Sequence, residues 1–263
     1  MKLQAKKYII FQDGKRKEYK VLPHIKKHSK YVSIIITTYN ESKNIRKLIS
    51  AIIKAVPKKY NYEIIVADDN SPDGTSGIVT AYAKKDRHVV CFTRVGYRGV
   101  LSAILGAISI SRGKYFLTMD ADFSHPPETV RDIIDNLEGY DMVVGSRYAS
   151  GGGIDAPFMH KLATVSLNLA LKWTLSPFIP VNDFTGVFHA MNKDKFAKLK
   201  LDNQAKWGEF DIEWIYKAYK AGWKIKEVPF VYKYRTEGET KSGGLLKYGT
   251  IYFGRALKTR FGK

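Results

Sequence analysis

The sequence holds a single cysteine, Cys91. It therefore has no intrachain disulfide and no zinc site built from several thiolates, and nothing in it calls for an oxidising compartment. Long apolar runs are missing too. The longest nearly uncharged stretch, 100–110, is about half of the roughly 20 residues that a bilayer-spanning helix needs. The lysine-bearing first residues lack the apolar core of a signal peptide. Several ligand-binding signatures are also absent. Gly96–Gly99 lacks dinucleotide-loop spacing, Gly113-Lys114 lacks the upstream glycine of a P-loop, and there is no nucleophile elbow. The six histidines (24, 28, 88, 125, 160 and 189) show no zinc spacing.

What is present is a globular composition: 263 residues, 44% apolar and 26% charged, enough for one large domain or two small ones. Acidic residues are scarce, 25 against 44 basic, for a net charge of +19. The excess sits at the ends: +8 over residues 1–30 and +6 over 241–263, leaving +5 for everything between. Basic ends attract phosphate backbones or an anionic membrane surface. A nucleic-acid binder should instead carry its charge along a continuous groove with stacking aromatics, so that class is disfavoured.

Residues 1–30 read as a basic extension, with a hairpin expected where Tyr8–Phe11 and Tyr19–Leu22 flank Asp13-Gly14. From Tyr31, short β-branched runs alternate with amphipathic stretches. Strands are expected at 32–36, 63–67, 89–93, 115–119 and 142–144, with helices between them. That order predicts an α/β fold with a mainly parallel sheet flanked by helices. After Gly151-Gly152-Gly153 the pattern predicts helices over 160–175 and 210–221 and strands over 186–191 and 224–228. A single domain over 31–241 follows, ending in a basic amphipathic helix over 242–263.

Ligands of an open parallel sheet bind beyond the carboxyl ends of its strands. The residues there are Thr37–Glu41, Asp68–Ser71, Arg94, Asp120–Asp122 and Ser146-Arg147, an unusually polar set. Carboxylates converging on one rim repel one another unless a cation sits among them. A divalent ion carrying a phosphorylated ligand resolves the conflict, and Asp120-Ala121-Asp122 offers the oxygen donors that suit Mg²⁺ or Mn²⁺.

Six segments in order, SIIITTYNE (33–41), DDNSPDGT (68–75), MDADFSHPPE (119–128), GSRY (145–148), DFTGVF (183–188) and EVP (227–229), resemble the polyprenyl-phosphate sugar transferases of glycosyltransferase family 2. The resemblance covers Tyr31 to the C-terminal tail. It implies a GT-A fold and transfer of mannose from GDP-mannose to dolichyl (polyprenyl) phosphate, with UDP-glucose as the alternative donor. It further implies that Thr37, Tyr39, Glu41, Ala67 and Asp69 line the nucleotide pocket. Asp120, Ala121 and Asp122 would hold the diphosphate through Mg²⁺ or Mn²⁺, and Arg147, Arg235 and Lys241 would meet phosphate oxygens. Asp122 and Arg147 are expected at the reacting centre.

Three positions depart from the family. Thr37 stands where proline is usual. Ser124 stands where some relatives place glutamine as a third metal ligand. His160 and Thr164, with Lys161 adjacent, stand where an arginine and a serine meet the acceptor phosphate. A lipid monophosphate is already anionic at neutral pH, its second ionisation lying near ~6, so it needs little help from a base. A polyprenyl acceptor stays in the membrane. The expected location is therefore peripheral, on the cytoplasmic face of a membrane, with or without a membrane-embedded partner subunit. Leu245, Tyr248, Tyr252 and Ala256, with Leu246, Phe253 and Leu257 alongside, give the last helix the pattern of an interfacial one.

Overall fold

The computed structural model describes residues 7–12, 14–20, 30–202, 204–205, 207–233 and 245–262, with 245 and 246 described by backbone only. Its strands are β1 (Lys7–Gln12), β2 (Lys15–Tyr19), β3 (Lys30–Thr38), β4 (Tyr62–Asp68), β5 (Val89–Val95), β6 (Gly113–Met119), β7 (Met142–Ser146), β8 (Gly153–Asp155), β9 (His189–Asn192), β10 (Ile225–Pro229) and β11 (Val231–Lys233). Its helices are α1 (Ile45–Ala55), α2 (Thr75–Ala83), α3 (Val100–Ile110), α4 (Pro127–Asp135), α5 (Phe158–Leu175), α6 (Lys193–Phe196), α7 (Phe210–Lys220) and α8 (Leu245–Phe261).

Among the described residues nine strands form one sheet in the order β10-β7-β9-β6-β3-β4-β5-β1-β2, and β11 pairs with β8 in a second, two-stranded sheet. The block β6-β3-β4-β5 is parallel, and β9 enters antiparallel between β6 and β7. Because β9 runs the other way, its amino end shares a rim with the carboxyl ends of β6 and β7. The expected strand over 186–191 starts only at His189, because Val187 has φ +48° and turns the chain just before it.

Alternation along the strands feeds two cores. In β3, Ile34 and Ile36 join α1, α2 and α4 on one face, while Ile35 joins α3, α7 and α8 on the other. Helix α1 buries Ile45, Leu48, Ile49 and Ile52, the spacing of one helical stripe. Full burial of each such side chain contributes about 1.5–3 kcal/mol. At the strands' amino ends, buried Glu63 accepts from Ser33 Oγ (2.7 Å) and Arg112 Nε (2.8 Å), tying β3, β4 and the entry to β6 together.

The N-terminal hairpin is present as β1 and β2, and β1 lies antiparallel to β5 with Tyr8 stacked on Phe92 at 5.9 Å. Strands β1 and β2 thus continue the domain's sheet rather than extending away from it. Helix α8 also differs from expectation. Tyr252 and Ala256 of its apolar stripe are buried in the core, because α8 packs against α5 and α7. Among the described residues no helix is long and apolar enough to cross a membrane.

Candidate active site

Among the described residues, four other than glycine have positive φ: Asn40 (60°), Asn70 (54°), Phe123 (63°) and Val187 (48°). All four lie at one rim, after β3, β4 and β6 and just before β9. Left-handed backbone is strained for Phe and worse for β-branched Val, and it persists only where surrounding bonds over-determine it. At Val187 those bonds are visible. Its N–H donates to Asp211 Oδ2 (2.8 Å), and its carbonyl accepts from Thr118 Oγ1 (3.0 Å).

On the β3–β5 side, Asp68 is a structural knot. It accepts from Thr38 Oγ1 (3.0 Å), Ser71 N (2.9 Å) and Ser76 Oγ (2.6 Å). Asp73 ties the neighbouring turn by accepting from Ser42 N (2.9 Å) and Thr75 N (3.1 Å). Glu41 helps to start α1: its carbonyl accepts from Ile45 N (2.9 Å) and its Oε2 from Asn44 Nδ2 (3.0 Å). Asp69 is engaged by Arg94, through Nε (2.7 Å) and Nη2 at Oδ1, and by Gly99 N at Oδ2 (2.9 Å). Burial raises the Asp69 carboxyl above the usual carboxylate range, and Arg94 opposes that shift. Asp69, Asn70, Gly96, Tyr97 and Arg98 line a cavity of about 470 Å³. Arg98 lies 4.0 Å above the ring centre of Tyr39, within cation–π range. Thr37 and Ala67 pair across β3 and β4, Ala67 fully buried beneath this region.

The turn after β6 carries Asp120, Ala121 and Asp122. Asp120 N donates to His125 Nδ1 (3.0 Å), and Ser124 N donates to Asp122 Oδ1 (3.1 Å). His125 stacks on Phe188 at 4.5 Å, and burial pushes its pKa down to about 4. It is therefore a neutral clamp with its proton on Nε2. Gly145 makes room for that stack, since a Cβ there would lie 2.6 Å from Phe188. Two partly exposed carboxylates and the buried Ser124 hydroxyl form an oxygen-only donor set, which fits a hard divalent ion that takes its remaining ligands from phosphates and water. Among the described residues no three acidic, histidine or cysteine side chains gather closely enough to form a cage of their own.

Across the rim, Arg147 is buried against Asp183, with Nε–Oδ2 at 2.7 Å and Nη2–Oδ1 at 2.6 Å, and Nη2 also reaches Thr185 Oγ1 (2.6 Å). Burial disfavours its charge, but Asp183 more than offsets this and holds the guanidinium pKa above its ordinary value. Arg147 was expected to face phosphate; two of its five side-chain N–H donors, one on Nε and one on Nη2, are spent on Asp183. Asn168 of α5 fastens the same loop, accepting from Phe184 N (2.8 Å) and donating to Thr185 Oγ1 (3.1 Å). Glu227 accepts from Asn182 N (2.7 Å) and Asp183 N (3.2 Å).

His160, Lys161 and Thr164 occupy the first turns of α5. Burial, then the charge of Arg147, lowers the His160 pKa, which places the helix start in the field of that arginine. Lys161 is exposed, while the Thr164 hydroxyl donates back to the His160 carbonyl (2.8 Å). Arg235 and Lys241 lie outside the described residues. Arg98, Asp183, Asn168, Asp211 and Glu227 were given no role from sequence. Asp183 and Glu227 stand in the DFTGVF and EVP segments, so a signal existed for those two; the others carry none without the fold.

The alternating layers, with their polar rim and its Asp-x-Asp turn, form the architecture of a GT-A glycosyltransferase, and residues 33–200 match the family described as Glycosyl transferase family 2. The chain belongs to that family. Its relatives include proteins named dolichol-phosphate mannosyltransferase from Pyrococcus furiosus (33% identical over 215 residues, 81% of this chain) and Saccharomyces cerevisiae (30% over 220 residues, 81% of each). The chain spans 59% of the Pyrococcus protein's length. Among solved structures, glucosyl-3-phosphoglycerate synthase from Mycobacterium tuberculosis, crystallised with Mn²⁺, UDP and phosphoglyceric acid, superposes with a TM-score of 0.66 at 17% identity. That match covers 89% of this chain and 79% of the other, and it shows the GT-A fold.

Proposed function

We propose that the chain is an inverting glycosyltransferase that moves mannose from GDP-mannose to dolichyl (polyprenyl) phosphate, forming dolichyl phosphate mannose. The observation that carries this reading is α5. Its first turns hold His160, Lys161 and Thr164 beside Arg147, and its outer face presents Phe158, Met159, Leu162, Val165, Leu169 and Trp173 to solvent, Trp173 at 67%. Phe178, at 82%, prolongs the same surface. A phosphate-seeking start on a lipid-seeking helix is the arrangement that an anionic headgroup on a long apolar tail requires. An exposed apolar helix face flanked by Lys161 and the basic α8 matches an anionic membrane surface, so the protein works as a peripheral enzyme. Helix α8 adds Phe253, Leu257 and Phe261 on its open side.

In this reading Tyr39, Glu41, Asp69 and Arg98 shape the nucleoside pocket above Thr37 and Ala67. Asp120 and Asp122, with Ser124 behind them, hold Mg²⁺ or Mn²⁺. When bound, the ion neutralises the leaving diphosphate. The acceptor phosphate reaches the rim as an anion and needs no general base. Arg147, held rigid by Asp183, supplies fixed positive potential that draws it in, while Lys161 adds an exposed charge. A phosphate oxygen forms its bond to the anomeric carbon as the bond from that carbon to the diphosphate oxygen breaks on the opposite face, inverting the configuration. Arg235 and Lys241 remain expected partners of the phosphates.

The same residues accommodate UDP-glucose, and one experiment separates the donors: transfer from labelled GDP-mannose and from UDP-glucose to a polyprenyl phosphate, with Mn²⁺ and with chelator. Metal-dependent mannosyl transfer is expected; glucosyl transfer alone would select the other donor. In the Asp120→Asn, Asp122→Asn double variant turnover should fall on the order of 10³-fold or more. Undiminished turnover there would remove the metal assignment.

A further inference from the structure

Valine is an unexpected choice for the turn before β9. Glycine takes positive φ freely, whereas a β-branched residue resists it. The turn persists because α7 holds it. The Asp211 carboxylate, 1% exposed, accepts from Val187 N (2.8 Å). This is the carboxylate's one hydrogen bond among the described residues, for Oδ1 stands 3.0 Å from His189 Nδ1 without hydrogen-bond alignment. The start of α7 also presses on the turn: a Cβ at Gly208 would lie 2.9 Å from Val187 Cγ2.

Both neighbours of Val187 reach His125. The Gly186 carbonyl accepts a hydrogen bond from the imidazole, and the Phe188 ring stacks on its face at 4.5 Å with 6° between the planes. The remaining nitrogen, Nδ1, accepts from Asp120 N (3.0 Å). The φ angle of residue 187 sets how the peptide before it is turned relative to the residue after it. Outside the left-handed region, the Gly186 carbonyl and the Phe188 ring could not meet one imidazole together. A single bond from α7 therefore fixes the seat of the ring that bonds the backbone of the acidic turn.

We propose that Asp211 is a positioning residue for the acidic turn: by pinning Val187 it aims Gly186 and Phe188 at His125, which fixes Asp120 and Asp122 for the divalent ion. This assignment rests on the reading of that turn as the metal site. Groups that orient metal ligands from behind are worth roughly 10–100-fold in metal affinity. The other role open to Asp211, balancing the buried His189, would not involve residue 187 at all.

That difference provides the test. Calorimetry with GDP and with UDP, each in Mn²⁺ and in chelator, gives the factor by which the ion tightens the nucleotide. In Asp211→Ala that factor should fall at least about tenfold, with binding in chelator close to wild type. Asp211→Asn keeps an oxygen that can accept from Val187 N and should retain most of the factor. Adding Val187→Gly to Asp211→Ala should restore it, because glycine adopts φ near +48° without the bond. An unchanged factor in Asp211→Ala, an equal loss in Asp211→Asn, or a loss that glycine does not rescue would overturn the positioning role while leaving the metal site standing. Should Asp211→Ala fail to fold, recovery of both folding and the factor in the double variant would support the proposal, and a double variant that stays unfolded would overturn it. A wild-type protein whose nucleotide binding ignores Mn²⁺ would overturn the metal reading and this inference with it.

Discussion

Two buried arginine–aspartate pairs brace the rim, and they are built differently. Arg94–Asp69 lies under the cavity lined by Asn70, Gly96, Tyr97 and Arg98, the proposed nucleoside pocket. Arg94 has further acceptors in Ser102 Oγ (2.8 Å) and the Gly99 carbonyl (3.0 Å), and Asp69 also takes the Gly99 amide. Arg147–Asp183 lies across the rim, on the proposed acceptor side, where among the described residues Arg147 has Thr185 Oγ1 as its other oxygen partner and aromatic neighbours in Tyr148 and Tyr232 at 5.4 and 5.7 Å. The first pair is one strand of a dense hydrogen-bond mesh. The second is a strut between a strand end and a loop. A mesh tolerates the loss of one member better than a strut does, because the orphaned partner keeps other bonds.

The largest effect should therefore follow from Asp183→Ala. It leaves Arg147 buried with one hydroxyl and should cost about 4–5 kcal/mol, near the top of the range for broken buried pairs, read by denaturant unfolding. Asp69→Ala should cost less, about 3 kcal/mol, near the bottom of that range. If the two losses proved equal, or ran in the opposite order, the contrast between mesh and strut would fail.

A third variant sharpens the comparison by leaving stability alone. Trp173→Glu on the exposed face of α5 should lower binding to anionic vesicles on the order of tenfold, since it replaces a large apolar group with a like charge. Unfolding and nucleotide binding should not change. Vesicle flotation that matched wild type would remove α5 as the contact surface. Deleting residues 242–263 cannot serve this purpose, because Tyr252 and Ala256 belong to the core.

Arg98→Ala should be milder, weakening nucleotide binding about fivefold, the worth of about 1 kcal/mol of cation–π contact with Tyr39. The smallest effect concerns α8. Asp202 is bonded to Lys258 (2.7 Å) and Arg255 (3.1 Å), and the Lys258 bond chiefly holds its carboxyl below the usual range. A depressed folded-state pKa gives stability that is present above the ordinary Asp range and is lost as pH falls through the depressed value. Asp202→Asn should thus cost under about 1 kcal/mol at neutral pH, and the difference from wild type should vanish on acidification. A difference that persisted in acid would point to packing instead of charge.

The strand–helix alternation was legible because burial on both faces of a parallel sheet forces continuous β-branched runs, as in β4, where all seven residues are buried. The Asp-x-Asp turn was legible for a related reason: polar residues directly after such a run stand where ligands bind. Helix α8 misled because its stripe serves a core and an interface equally well. Tyr252 and Ala256 have the same spacing whether they meet lipid or protein, and only the position of α5 and α7 decides. The exposed face of α5 went unread for the converse reason, since Leu162, Leu169 and Trp173 look in one dimension like any buried stripe.

Sequence alone thus determined the layer order, the rim and the acidic turn, all of which follow from local periodicity and from the direction of parallel strands. Tertiary structure decided which charges meet. Asp183 lies 36 positions from Arg147, and Asp69 lies 25 from Arg94. It also decided that the Asp211 carboxylate meets the Val187 amide, a juxtaposition of two elements far enough apart in the chain that no residue pattern could encode it.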